Sequence, residues 1–171
     1  MVSDVYLFEV LKRALKAFNG SDSDLLSWPK AKASIAHALA MRLSESATLL
    51  SGSVYVDIMA EGADVVIHDR NGAVTMALVI STTYLTASQQ TQLRLLQERG
   101  TTLVFGIAFL KEKEYFLLYR PRRDALDYYH FRRDNESVVR LRERDRGSDE
   151  GQLLLGINPK RRKKRAATPD R

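Results

Sequence analysis

Hydrophobic residues in the first part of the chain recur every three or four positions, as in amphipathic helices. Between Phe8 and Phe18 this stripe predicts a helix that ends near Gly20. Pro29 precedes a second stripe and is predicted to open a helix at roughly residues 30–45, since a proline is favourable at a helix start, where an N–H would be unsatisfied anyway. The chain is therefore expected to begin with two helices.

From about residue 51 the apolar period shortens to two residues, which indicates β-strands. Asn71-Gly72 favours a tight hairpin, because both residues tolerate positive φ. A helix with capping-box spacing at Thr86-Ala-Ser-Gln89 separates the third strand from the fourth, which predicts a crossover and a parallel strand pair. The predicted elements of this part are strands at 54–58, 64–68 and 74–82, a helix at 86–99, and strands at 101–109 and 114–119.

Beyond Pro121 the pattern weakens. Residues 125–131 fit either a short helix or a short strand. We expect an α/β domain over residues 1–130, a weakly patterned arginine-rich extension at 131–157, and a disordered basic tail at 158–171.

The amino-acid composition excludes several kinds of functional site. The 171 residues include no cysteine, which excludes disulfide scaffolds, cysteine zinc sites, iron–sulfur clusters and thiol catalysis. The N-terminus does not resemble a signal peptide, and no run of about 18 apolar residues predicts a membrane span. We therefore expect a protein without a membrane partner, cytoplasmic in location, or nuclear if the source is eukaryotic. There is also no glycine-rich phosphate loop, G-x-S-x-G turn or H-E-x-x-H helix.

The net charge of +6 is concentrated in one place. Residues 160–165 carry six adjacent positive charges, and without them the chain is formally neutral. Such a run attracts polyanions by releasing condensed counterions, which predicts nucleic acid as a partner, with DNA favoured. A nuclear import signal, a solubilising tail and a contact with anionic membranes are the alternatives. The predicted nucleic-acid-binding residues are Lys160, Arg161, Arg162, Lys163, Lys164 and Arg165.

A second basic region lies between residues 120 and 146, where arginines alternate with aromatic residues. Arginine can clamp phosphates and aromatic rings can stack on bases, so the region is compatible with a nucleic-acid surface. Acidic residues are interspersed there, however, and an ordinary salt-bridged surface is the alternative. The aromatic residues concerned are Tyr119, Tyr128, Tyr129 and Phe131.

The order of the elements and the residues at their ends resemble a known superfamily. A helix with Ser34-Ile-Ala-His37 precedes Gly62-Ala-Asp64, the Asn71-Gly72 turn and the run Ala77-Leu-Val-Ile-Ser-Thr-Thr83. This arrangement, over roughly residues 30–120, is similar to the PD-(D/E)XK nuclease superfamily, and most of all to competence protein CoiA-like nucleases. The resemblance implies a restriction-endonuclease-like fold, with an αβββαβ core and a mixed central sheet flanked by helices.

In that superfamily carboxylates hold Mg²⁺, and a lysine positions the water that attacks the phosphodiester. The resemblance places Asp64 at the first carboxylate, and Ser81 and Thr83 at the second acid and the lysine. Neither side chain can replace the group it stands for. We therefore expect a non-catalytic nucleic-acid-binding protein without a cofactor, in which Asp64 is a remnant of the site.

Two alternatives remain open. In a Mg²⁺-dependent nuclease with migrated residues, Asp57 and Glu45 would join Asp64 as metal ligands, although no lysine occurs between Lys32 and Lys111. Gln89, Gln90 and Gln92 could act there only as hydrogen-bond donors. In a protein-interaction or assembly module, the partner would be another protein or a second copy of the chain. A solvent-facing strand residue is the simpler interpretation of Asp57, and we expect a structural role for a single helical histidine such as His37.

Overall fold

The strands lie side by side in the order in which they occur in the chain. The computed structural model describes residues 3–47, 54–69 and 71–141, which form an α/β fold with a seven-stranded mixed sheet, as the α/β prediction required. The described helices are α1 (Asp4–Ser21), α2 (Lys32–Ala47) and α3 (Ala87–Glu98), with a short 3₁₀ helix at Ser23–Ser27. The strands are β1 (Val54–Ile58), β2 (Val65–Asp69), β3 (Val74–Ser81), β4 (Leu103–Ala108), β5 (Tyr115–Pro121), β6 (Leu126–Arg132) and β7 (Val138–Arg140).

A single parallel pair interrupts an otherwise antiparallel sheet. β3 and β4 are parallel, in a register that runs from Met76 opposite Leu103 to Ser81 opposite Ala108. The chain passes between them through α3, which confirms the predicted crossover. The hairpin predicted between β2 and β3 is also present. Residues 126–132 form a strand rather than a helix, and β7 carries the sheet to residue 140, inside the segment that the sequence pattern separated from the domain.

Side chains on the two faces of the sheet form two apolar clusters. Alternate residues of β4 contribute to each: Phe105 and Ile107 pack with α1 and α2, and Val104 and Ala108 pack with α3. A β-carbon at Gly106 would overlap Leu85 and come within 2.9 Å of Leu93 Cδ1. The face of β4 that carries Val104, Gly106 and Ala108 is therefore the surface that admits α3 and the segment preceding it.

The helix ends follow the capping residues. Thr86 accepts the backbone N–H of Gln89, and the Gln89 side chain accepts the backbone N–H of Thr86, so the predicted capping box is present. Pro29 does not open α2: Lys30 has a φ of 58°, which is not helical, and the helix begins at Lys32. None of the described helices combines the length and the apolar character needed to cross a membrane.

Candidate functional site around Asp64

Asp64 is a buried carboxylate at the point where the chain enters β2. Asp64 as a whole is 6% exposed, and its backbone N–H donates to the carbonyl oxygen of Leu78 (2.9 Å). One carboxylate oxygen, Oδ2, accepts the backbone N–H of Ile80 at 2.6 Å. The other, Oδ1, lies 2.9 Å from the Nζ atom of Lys32. Both oxygens of the predicted first metal ligand are therefore bonded to protein groups.

Lys32 is the functional residue that the sequence interpretation missed. It is the first residue of α2, and its side chain is 46% exposed, so that the ammonium group joins the buried Asp64 to the surface. The only sequence signal was the absence of lysine between positions 32 and 111, which makes Lys32 the last lysine before the motif region. α2 packs against β1 and β3 of the sheet, and this packing brings the two side chains together.

Ser81 and Thr83, to which the nuclease resemblance assigns the second acid and the lysine, bond to each other. Ser81 ends β3 and is buried, and its hydroxyl lies 3.3 Å from the hydroxyl of Thr83. The Ser81 hydroxyl also accepts the backbone N–H of Thr83 at 3.2 Å. Short hydroxyl side chains that satisfy nearby backbone groups are common where regular structure ends. These two residues thus close the end of a strand and supply neither a charge nor a metal-binding carboxylate.

Asp57 and Glu45, the two candidate migrated acids, have basic partners of their own. Oδ2 of Asp57 lies 2.8 Å from Nε2 of His68, on a side chain that is 59% exposed. Donation from Nδ1 of His68 to the carbonyl oxygen of Asp69 (2.9 Å), and then the bond to Asp57, raise the pKa of His68 above its usual value. Glu45 accepts from Arg42 at 3.1 Å. Asp57 is therefore solvent-facing, as its alternation with Val56 and Ile58 indicated.

The carboxylates do not fit a magnesium site. Mg²⁺ is usually held by carboxylate and water oxygens in near-octahedral geometry. Within residues 3–47, 54–69 and 71–141, no three side chains of histidine, cysteine, aspartate or glutamate converge as metal ligands. At Asp64 a cation is already present, in the form of the Lys32 ammonium group. We therefore derive no reaction step through a metal.

The glutamines of α3 bind backbone rather than replacing the missing lysine. Gln89 belongs to the capping box, Gln90 donates to the carbonyl oxygen of Leu85 (3.2 Å), and Gln92 donates to that of Gly62. The segment between β1 and β2 has positive φ at Met59, Glu61 and Gly62. Gln92 thus ties this turning segment to α3 immediately before Asp64, which helps to place the carboxylate.

Three described arginines of the second basic region form close ion pairs. Arg120 bonds to Asp4 (2.8 Å), and Asp127 accepts from Arg122 (2.7 Å) and Arg140 (2.8 Å). Partial burial would raise the pKa of Asp127, but the hydrogen bonds from the two arginines outweigh burial and hold it below its usual value. The salt-bridged surface is therefore the better description of these residues.

The aromatic residues of that region are part of the core. Tyr119, Tyr128, Tyr129 and Phe131 are all buried, so their rings are not exposed for stacking on bases. The Tyr119 hydroxyl accepts the backbone N–H of Leu85 (3.2 Å), and burial raises its pKa. These rings stabilise the sheet instead of forming a binding surface.

The basic run at 160–165 lies outside the described residues, as do residues 142–157 and the rest of the C-terminal segment. Comparison of the chain with protein-family models, with curated proteins and with solved structures gave no match. The function is therefore inferred from the sequence and from the geometry of the described residues.

Proposed function

We propose that this protein binds nucleic acid without cleaving it, on a fold of the restriction-endonuclease-like type. The observation that carries the proposal is the Lys32–Asp64 pair. An ammonium group lies 2.9 Å from the carboxylate that would bind the metal in a nuclease of this type. Ser81 and Thr83 stand where the second acid and the lysine would be, and the two hydroxyl groups satisfy each other and the end of the strand.

The topology supports the fold assignment within this proposal. A helix leads into an antiparallel three-strand meander, a crossover helix follows, and the next strand lies parallel to the third. This order agrees with the αβββαβ core that the proposal requires, and Asp64 lies at the entry to β2. A shared fold would justify comparing residues of this chain with the motif positions of a nuclease. Whether the protein cleaves depends on which residues occupy those positions.

The basic run at 160–165 supplies the affinity for phosphate in this proposal. The six residues contain no acidic neighbour, whereas Arg120, Arg122 and Arg140 of the described surface are bonded to carboxylates. Charge-driven binding of this kind follows the number of phosphates contacted, and it weakens as salt is added.

Fluorescence anisotropy with labelled duplex and single-stranded DNA tests this function. Six phosphate contacts predict that affinity for duplex DNA falls by about 10³-fold between 50 and 200 mM salt. Replacing all six residues at 160–165 by glutamine should remove most of the binding, and EDTA should leave it unchanged. A matched control replaces Lys111 and Lys113, which belong to the β4–β5 turn, by glutamine. Absence of binding by the full chain at low salt would reject the proposal.

One observation favours a second function, which is Mg²⁺-dependent cleavage. Lys32 supplies an ammonium group 2.9 Å from Asp64, whereas the motif position of the lysine is occupied by Thr83. The required acids do not accompany it, since Asp57 and Glu45 bond to His68 and Arg42. A cleavage assay with Mg²⁺ or Mn²⁺ decides between the two functions. Cleavage that is lost in Asp64→Asn and Lys32→Ala would establish the nuclease and overturn the non-cleaving proposal.

A further inference from the structure

β1 lies at an edge of the sheet, with β2 as its neighbour on one side. Just beyond the strand, Met59 donates its backbone N–H to the carbonyl oxygen of Asp64 (2.9 Å). Hydrogen-bonded and non-hydrogen-bonded residue pairs alternate along an antiparallel ladder. Counting back from Met59 in steps of two, Asp57 and Tyr55 are the residues of β1 whose backbone groups bond to β2. The backbone N–H and C=O groups of the other three residues, Val54, Val56 and Ile58, therefore point away from the sheet.

The same edge carries exposed apolar side chains. Of the nine large apolar side chains that are exposed in the described part of the chain, four lie on or beside β1, with exposed fractions between 43% and 76%. These four are Met41, Tyr55, Ile58 and Met59. Beside them runs a groove of about 320 Å³ between α2 and β1, lined on the helix by His37, Met41 and Ser44. An edge strand with unpaired backbone groups and exposed apolar residues is a template for another strand.

We infer that two copies of this chain associate through β1, in an antiparallel pair with the two-fold axis at Val56. In this register Val56 faces Val56 of the second copy, and Val54 faces its Ile58. Each of these positions directs its N–H and C=O outward, so the three facing pairs form six backbone hydrogen bonds. Other registers leave part of these groups without a partner among residues 54–58. The strand is thus complementary to itself.

Charge and shape agree with the same register. Tyr55 faces Asp57 of the second copy, so the two carboxylates are not directly opposite, an arrangement that would be destabilising. Val54 and Val56 pack towards the α2 side of the sheet. The corresponding apolar side chains of the second copy extend that face and lie beside the groove at Met41. The interface would therefore combine backbone bonds with burial of the exposed apolar cluster.

This association is independent of the proposed function and adds to it. A dimer carries two basic runs, and two linked binding segments bind a polynucleotide more tightly than one, because the second contact is intramolecular. The dimer itself needs no nucleic acid, so it can be tested without it.

Size-exclusion chromatography with light scattering on the full chain measures the association. We expect about twice the chain mass of 19.4 kDa at 100 µM protein, without nucleic acid. Ile58→Lys should convert the protein to monomer, since it places charge in the apolar contact. Leu95→Lys on α3 and Val139→Lys on the opposite edge strand are matched controls at exposed apolar positions and should remain dimeric. A monomer at every concentration, or a dimer that Val139→Lys dissociates and Ile58→Lys does not, would overturn the inference.

Because the chain has no cysteine, Val56→Cys tests the register directly. Facing residues of a bonded antiparallel pair have Cα atoms about 5.5 Å apart, within the range for a disulfide. Mild oxidation should link Val56→Cys into a covalent dimer and should leave Leu95→Cys monomeric on a denaturing gel. Val56→Pro removes one outward N–H from an edge strand, where proline is tolerated, and should weaken the dimer while the chain stays folded by circular dichroism. A dimer in which Val56→Cys does not cross-link would show that another surface, or another register, forms the contact.

Discussion

Asp57 lies near the end of β1 and Asp64 lies immediately before β2, and each has one basic side-chain partner. The resemblance between them ends at burial: the Asp57 side chain is 59% exposed and pairs with His68, while the Asp64 side chain is 9% exposed and pairs with Lys32. Water can solvate Asp57 if its partner is removed. Asp64 depends on the protein for almost all of its compensation, because burying an unpaired charge is costly. The Lys32–Asp64 pair should therefore contribute more to the stability of the fold than the Asp57–His68 pair does.

The same difference bears on the metal-binding role that the nuclease resemblance would assign to Asp64. A carboxylate that must bind a metal needs oxygens that face an accessible cation site. Asp64 instead directs one oxygen to the backbone N–H of Ile80 and the other to an ammonium group. The Asp64 carboxylate is buried, and the charge that neutralises it comes from Lys32 of α2. We therefore expect changes at Lys32 and Asp64 to lower the stability of the fold, and changes at the Asp57–His68 pair to have a weak effect.

Lys32→Met should have the largest effect on the folded state. It keeps the aliphatic part of the side chain and removes the ammonium group, so that the buried Asp64 carboxylate retains only the N–H of Ile80. We expect the free energy of unfolding to fall by about 2 kcal/mol, the range for a buried charged group that loses a partner. Urea unfolding measures it, with Lys30→Met as the exposed neighbouring control. A loss below about 0.5 kcal/mol would mean that the pair is screened by solvent like a surface salt bridge.

Asp64→Asn should have a smaller effect, because the amide oxygen can still accept the backbone N–H of Ile80. We expect a loss of about 1 kcal/mol, as for one charge-assisted hydrogen bond. In the double variant, Lys32→Met should add little, because the carboxylate that needed the ammonium group is gone. A double-mutant cycle measures this coupling. Additive losses from the two substitutions would contradict a direct Lys32–Asp64 interaction.

Much of the fold was predictable because periodicity and end signals agreed. β1 to β4 and α3 were found close to their observed limits, and the capping box at Thr86 is present as predicted. β6 was ambiguous for a physical reason: Tyr128 and Tyr129 are both buried, on opposite faces of the sheet, so no polar–apolar alternation marks the strand. Because these rings are buried, the alternation of aromatic residues with arginines in this region reflects the core and not an exposed stacking surface.

The site was only partly predictable. Asp64 and its position at the start of β2 followed from local pattern and from the family resemblance. Its partner is 32 residues earlier in the chain, and no spacing rule joins a residue at a helix start to a strand start across that distance. The pairing depends on how α2 packs against the sheet, which is a tertiary property. The Ser81 hydroxyl accepts the backbone N–H of Thr83, as hydroxyls at strand ends commonly do.

The smallest expected effect is the pH dependence that His68 contributes. Donation to the Asp69 carbonyl oxygen and the bond to Asp57 raise the pKa of His68 in the folded state, so protonation favours folding. This stabilisation is fully present below the unfolded pKa of about 6.5 and is lost as the pH rises through the higher folded value. Because Asp57 is largely exposed, we expect only a few tenths of a kcal/mol. Urea unfolding between pH 5.5 and 9 should show the wild type losing this increment relative to His68→Gln, which cannot titrate. Asp57→Asn should reduce the increment without abolishing it, since the bond to the Asp69 carbonyl remains. A constant difference between wild type and His68→Gln across that range would show that the pair adds no proton-linked stability.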